Sequence, residues 1–169
     1  MDELFDIFDE QGNHIGTALR SRCHGDPSLI HRTAHVMVIH PESGDILLQK
    51  RTMTKDIQPG KWDTAVGGHV SYGETILEAV HREAEEELKF TDFNPIYLQT
   101  YEFESAVERE MVNVFAAVGT YELSPDLDEV DEGRWWSIED IDQALGKNIL
   151  TPNFESEFKM IRKPLLALL

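Results

Sequence analysis

Short apolar-rich runs at residues 3–8 and 14–19 flank Asp9-Glu10-Gln11-Gly12-Asn13, a cluster of turn formers, and predict an N-terminal hairpin. Residues 21–30 have no clear period, and Asp26-Pro27 favours a turn there. Two further strands, 33–40 and 45–50, surround Pro41-Glu42-Ser43-Gly44 as a second hairpin. The polar stretch 50–62 contains Pro59-Gly60 and reads as a loop, followed by short strands over 63–70 that break at Gly67-Gly68. The period then changes. On a helix of about 3.6 residues per turn over 76–88, Leu77, Val80, Ala84 and Leu88 form one apolar stripe. Long strands follow at 96–104 and 109–122, and the β-branched and alanine-rich second one has the character of a buried central strand. Residues 124–133 form an acidic loop and Arg134-Trp135-Trp136 a short strand. Ser137 and Asp140 suggest a capping box for a helix to about residue 145, and Thr151-Pro152 starts a last helix to about residue 169. Strands, a helix, more strands and terminal helices predict an α/β fold with helices on both faces of a mixed sheet. With no repeat and no linker-like tract, residues 1–169 are expected to form one domain.

Composition narrows the function. A hydrophobic content of 41% with 28% charged residues fits a globular chain with its own core. The apolar runs fall short of a membrane span, the first ten residues are acidic, and the sole cysteine, Cys23, precludes an internal disulfide; the expectation is a cytoplasmic protein without a membrane partner. A net charge of −17 argues against a nucleic acid polymer as partner. A small phosphorylated substrate is still compatible, because a bound metal inverts the local field. The hairpin edge is a place where a homodimer could form.

The acidic helix carries the first candidate chemistry. Glu83, Glu86 and Glu87 fall on an arc beside the apolar stripe, since positions three and four apart are neighbours on a helix. Exposed like charges so placed repel by about 0.2–0.5 kcal/mol per pair. Arg82, within reach of Glu78 and Glu86, offsets part of that, and a hard divalent cation would offset the rest. Taken alone, such a run is most often a solvated face. The wider pattern is more specific: Gly68, Glu74, Arg82-Glu83, Glu86-Glu87 and Phe90 resemble, at the same spacing, the Nudix box of hydrolases acting on nucleoside diphosphates linked to another moiety. The chain departs from that box at Lys89, where the family usually has the glycine that ends the helix in the left-handed conformation. The resemblance implies a Nudix-type α/β/α sandwich, with box 68–90, and a catalytic set of Arg82, Glu83, Glu86 and Glu87. It implies Mg²⁺ or Mn²⁺ held by Glu83 and Glu87 with help from Glu86 and the backbone carbonyl of Gly67, and structural roles for Gly68 and Glu74. The proton acceptor would be Glu83, with Glu108 or Glu110 as alternatives.

A second constellation comprises His24, His31, His69, Glu108 and Glu110. Strand alternation puts the two glutamates on one face, and three imidazoles with two carboxylates suit a transition metal, Mn²⁺ or Mg²⁺. Together with HGDPSLIH, Arg51 and Lys55, PGKW, GGH, EREMVNVFAA and LTPNF, this pattern resembles type I isopentenyl diphosphate isomerase, a Nudix-fold enzyme. That resemblance implies a second metal site at the five residues and contacts from Arg51 and Lys55 to a small-molecule diphosphate. Two positions depart from it. The isomerases place a catalytic Cys where this chain has Gly67, and a carbocation-shielding Trp where it has Asn153. Proton transfer to an alkene needs a positioned acid, which Gly67 lacks. Hydrolysis of a phosphoanhydride is therefore the expected reaction, with isomerisation and a non-catalytic nucleotide-binding module as alternatives.

Overall fold

The computed structural model describes residues 2–54, 58–89, 92–121 and 130–169, so Lys55, Phe90 and most of the acidic stretch 124–133 lie outside the described residues. The chain starts with the expected hairpin: β1 (Leu4–Phe8) pairs antiparallel with β2 (His14–Leu19), and the Asp9 carboxylate closes the turn by accepting from the Gln11 and Asn13 N–H groups. One helical turn, α1 (Arg20–Cys23), follows where irregular chain was expected. Four residues are too few to show a period, and the turn is anchored by burial of Cys23 against Phe5 and Ala18.

Strand β3 (Ile30–Ile39) is the axis of the sheet. The elements after it are β4 (Ile46–Arg51), β5 (Trp62–Thr64), β6 (Val66–His69), α2 (Ile76–Leu88), β7 (Ile96–Glu104), β8 (Arg109–Val118), β9 (Val130–Trp136), α3 (Ile138–Ala144) and α4 (Pro152–Leu166). β8 runs parallel to β3 in unbroken register from Ile30↔Arg109 to Ile39↔Val118. β6 pairs antiparallel on the other side of β3, and β7 antiparallel with β8, which makes the sheet mixed. β4 joins through Ile39↔Ile46 and carries β5 and β9 on its flanks. Pairing with β4 makes a strand of residues 130–133, the end of the stretch whose acidic composition suggested a loop.

Alternation along β3 and β8 divides the core. Met37, Ile39, Val112, Val114 and Ala116 face α3 and α4, packing on Ile141, Phe154, Phe158, Ile161 and Leu165. Ala34, Val36, Val38, Phe115 and Ala117 face α2. Each fully buried Val, Leu, Ile, Phe or Met side chain of this kind contributes about 1.5–3 kcal/mol, and the alanines less. Helices therefore cover both faces, as an α/β/α sandwich requires. Among the described residues no helix is long and apolar enough to cross a membrane.

The helix ends have local causes. Thr75 and Glu78 make a reciprocal capping box at the start of α2. Its end is Lys89, which adopts the left-handed conformation at φ 55° despite its side chain and donates from Nζ to the Glu86 carbonyl. Ser137 caps α3 through the Asp140 N–H, a single cap rather than the reciprocal box expected. Thr151 caps α4, Pro152 opens it, and Pro164 removes a donor shortly before it stops at Leu166, short of residue 169. The apolar face of α2 also differs from expectation. Ala79, Val80, Ala84 and Leu88 are buried, whereas Leu77 is 51% exposed. The helix is turned toward its glutamates, so the stems of Glu83 and Glu87 share the inward face and Leu77 is rotated out.

Candidate active site

Gly67 and Gly68 point to opposite sides of β6, because they pair with His35 and Ala34 of β3. At Gly68 a Cβ would lie 2.2 Å from Cδ of Glu83, so only glycine leaves room for that carboxylate on the turn. At Gly67 a Cβ would lie 3.1 Å from Cδ2 of His35, while the Gly67 N–H donates to Oε2 of Glu87 at 3.3 Å. Arg82 ties this corner together. It donates to both oxygens of Glu74 at 2.8 and 3.0 Å, to Oε1 of Glu83 at 2.7 Å and to the His69 carbonyl at 3.0 Å. Glu74 in turn accepts from the Ser71 N–H at 3.0 Å, fixing the loop before α2. Glu78 is engaged in the cap rather than with Arg82.

The three helix glutamates are unequal. Glu86 is 60% exposed, its Oε1 3.6 Å from Arg82 Nη1. Glu83 and Glu87 are sunk against the turn, and burial raises the pKa of both above the usual carboxylate range, Glu87 strongly because Glu83 is also beside it. Two neighbouring desolvated carboxylates are a donor set that suits a divalent cation. Their oxygens do not converge into a closed trio with Glu86.

Beyond the turn the second constellation does converge. Nε2 of His24 lies 3.2 Å from Nε2 of His69 and 3.4 Å from Oε2 of Glu108, and His31 Nε2 lies 3.9 Å from both Glu108 and Glu110. His31 has no exposed surface, and its Nε2 has no hydrogen-bond partner. Burial lowers the pKa of His31 and takes His69 to about 3, with His31 adding to the second shift, so both imidazoles are neutral near pH 7, the form in which a histidine ligates a metal. Burial beside Glu108 raises Glu110 to about 7. An orphaned buried nitrogen among neutral imidazoles and carboxylates fits a metal ion. The hairpin and α1 complete the site in a way the sequence motif did not show. Phe5 of β1 stacks on His31 and His69 at 5.4 and 4.8 Å, and α1 ends on His24, whose N–H donates to the Arg20 carbonyl at 3.0 Å.

A cleft of about 530 Å³ connects the two groups, lined by Gly67, Gly68 and Glu87 on one side and by His24, His69, Glu108 and Glu110 on another. Arg51 and Asn153 also line it, while Lys55 is outside the described residues. Between the groups lie residues that no motif marked. His35 Nδ1 hydrogen-bonds with Oε1 of Glu157 at 2.7 Å, and the same oxygen accepts from Tyr101 Oη at 2.7 Å. Burial would lower the pKa of His35, but the adjacent Glu157 carboxylate overrides it and holds the imidazole at about 9. Burial raises Asp63 on the same wall. A sequence signal existed: Glu157 interrupts the apolar face formed by Phe154, Phe158, Ile161 and Leu165, and an acid at a core position calls for a partner.

Comparison with known proteins agrees with this architecture. An uncharacterised Nudix hydrolase of Yersinia pestis is 38% identical over 82% of this chain and 75% of its own length. A Clavibacter sepedonicus protein named isopentenyl-diphosphate Delta-isomerase is 32% identical over 97% of this chain and 87% of its own. The crystal structure of DR0079 from Deinococcus radiodurans superposes with a TM-score of 0.78 over 94% of this chain and 99% of that one; at 21% identity this concerns the fold alone. Residues 29–156 match the NUDIX domain, and the chain belongs to that family.

Proposed function

We propose that this protein is a Mg²⁺- or Mn²⁺-dependent pyrophosphohydrolase that cleaves the phosphoanhydride of a nucleoside diphosphate linked to another moiety. One observation carries the reading: Glu83 and Glu87 lie on the inward face of α2 against Gly68 and Gly67, and Glu87 and both glycines line the cleft. Glu83 and Glu87 would hold the cation, with Glu86 and the Gly67 carbonyl completing its protein ligands. When bound, it supplies charge stabilisation on the diphosphate and a more acidic attacking water. Glu83 is assigned as acceptor of the water proton. Arg82 holds Glu83 in place while itself fixed by Glu74, and Arg51 meets the diphosphate from the cleft wall; Lys55, outside the described residues, is assigned to the same diphosphate by its place in the sequence pattern.

The test is hydrolysis of a panel of nucleoside diphosphate derivatives with Mg²⁺ and with Mn²⁺, reading release of the two monophosphate products. Absence of cleavage across the panel with either ion contradicts the proposal.

The convergence of His24, His31, His69, Glu108 and Glu110 favours a second reading, an isomerase of isopentenyl and dimethylallyl diphosphate. Those five residues would then hold the metal. Against it, Gly67 provides no acid, and any side chain there would start 3.1 Å from His35. Incubation with isopentenyl diphosphate separates the readings, because an isomerase yields the allylic isomer without releasing phosphate.

A further inference from the structure

We infer that His35, Glu157 and Asp63 form a hydrogen-bonding subsite that receives a hydroxyl-bearing, sugar-like group on the non-phosphate part of the substrate. This rests on the phosphoanhydride reading for the diphosphate end of the same cleft. Glu157 is 1% exposed, yet both its hydrogen bonds, from His35 and Tyr101, go to Oε1. Among the described residues Oε2 has no partner, although Glu157 lines the cleft. His35 is in the same position. Nδ1 is taken by Glu157, and Nε2 has no partner among the described residues, while the ring keeps 22% of its surface at the cleft. Asp63 accepts from the Thr64 N–H at Oδ1 and leaves Oδ2 unpartnered among the same residues.

One wall therefore presents two carboxylate acceptors and an imidazole nitrogen, held by contacts made with their other atoms. These atoms are open to the cleft rather than sealed in the interior, so a ligand or water is what meets their remaining hydrogen-bonding capacity. A hydroxyl both donates and accepts. It satisfies the carboxylates as donor and Nε2 in either protonation state. An ammonium only donates, and a hydrocarbon does neither. An alkenyl chain on this wall would strand all three groups, which gives this cleft a basis for rejecting isoprenoid substrates that is independent of Gly67.

The experiment uses two monophosphates that have no anhydride to cleave, ribose 5-phosphate and isopentenyl monophosphate, titrated calorimetrically with Mg²⁺ into the wild-type protein, Glu157→Gln and Asp63→Asn. Sites built to bond a hydroxyl discriminate strongly against analogues lacking it, so wild type should prefer ribose 5-phosphate by at least about tenfold. Each variant should reduce that preference, Glu157→Gln to about twofold or less, by weakening the ribose 5-phosphate affinity. A purely structural ion pair would instead lower the thermal midpoint and leave the preference unchanged. The inference is overturned if wild type shows no preference, including no binding of either compound, or if the preference survives both substitutions. Should Glu157→Gln not fold, Asp63→Asn decides alone. Failure of the two readings is distinguishable: preference without hydrolysis of any anhydride removes the phosphoanhydride reading, and hydrolysis without preference removes the subsite.

Discussion

Single atoms decide much at this site. A methyl on Gly68 would overlap the Glu83 carboxylate, and the Arg82 network leaves that side chain little room to retreat. Gly68→Ala should therefore lower kcat by on the order of 100-fold, the scale expected for misplacing a reacting group by about an ångström. Gly67→Ala needs only a few tenths of an ångström from His35 and should be milder. Steady-state rates of the two variants side by side check the ordering; a Gly68→Ala enzyme as active as wild type contradicts it. His35 gives a pH prediction. Its pKa is about 9 in the fold against 6.5 as reference, so its pairing with Glu157 stabilises fully below pH 6.5 and is lost as pH rises through about 9. Thermal midpoints between pH 6.5 and 9.5 should fall more steeply for wild type than for Glu157→Gln, and equal slopes contradict the pairing. Glu74, Arg82 and the glutamates were legible as a spaced motif. His35 and Glu157 were not, because partners 122 residues apart have no local spacing to read.

At the scale of elements, α2 was readable in both extent and chemistry, since its acids and apolar residues share one helical period. Its capping box was also present in the sequence, as Thr75 followed by Glu78. Which residues it buries was less legible: a stripe fixes a helix face only within a turn or so, and packing on the sheet chose Ala79 over Leu77. α1 and the first part of β9 left no periodic signal, the former from shortness and the latter because edge pairing, not composition, makes the strand. Lys89 predicts a local gain. A side chain in the left-handed region is disfavoured by roughly 1–2 kcal/mol, a figure that glycine's larger unfolded entropy and the lost contact to Glu86 partly offset. Lys89→Gly should thus stabilise by on the order of 0.5 kcal/mol in denaturant unfolding, whereas Thr75→Ala should cost about 1 kcal/mol. Destabilisation by Lys89→Gly would show that its side-chain contact outweighs the backbone strain.

For the whole molecule, alternating strands and two terminal helices were enough to predict a mixed sheet covered on both faces, because each element has one face to bury. The cleft was not predictable in the same way. It is bounded by β3 to β8, α2 and α4, and the parallel pairing of β3 with β8 brings His31 beside Glu110 from 79 positions away. This assembly leaves two metal-competent groups on one cleft, and the account stands on which of them drives the chemistry. The most direct measurement is Mg²⁺-dependent anhydride hydrolysis by Glu83→Gln and Glu108→Gln beside wild type, with circular dichroism confirming that each variant folds. The account predicts that Glu83→Gln abolishes product release while Glu108→Gln retains most of it. Undiminished turnover in Glu83→Gln would contradict it.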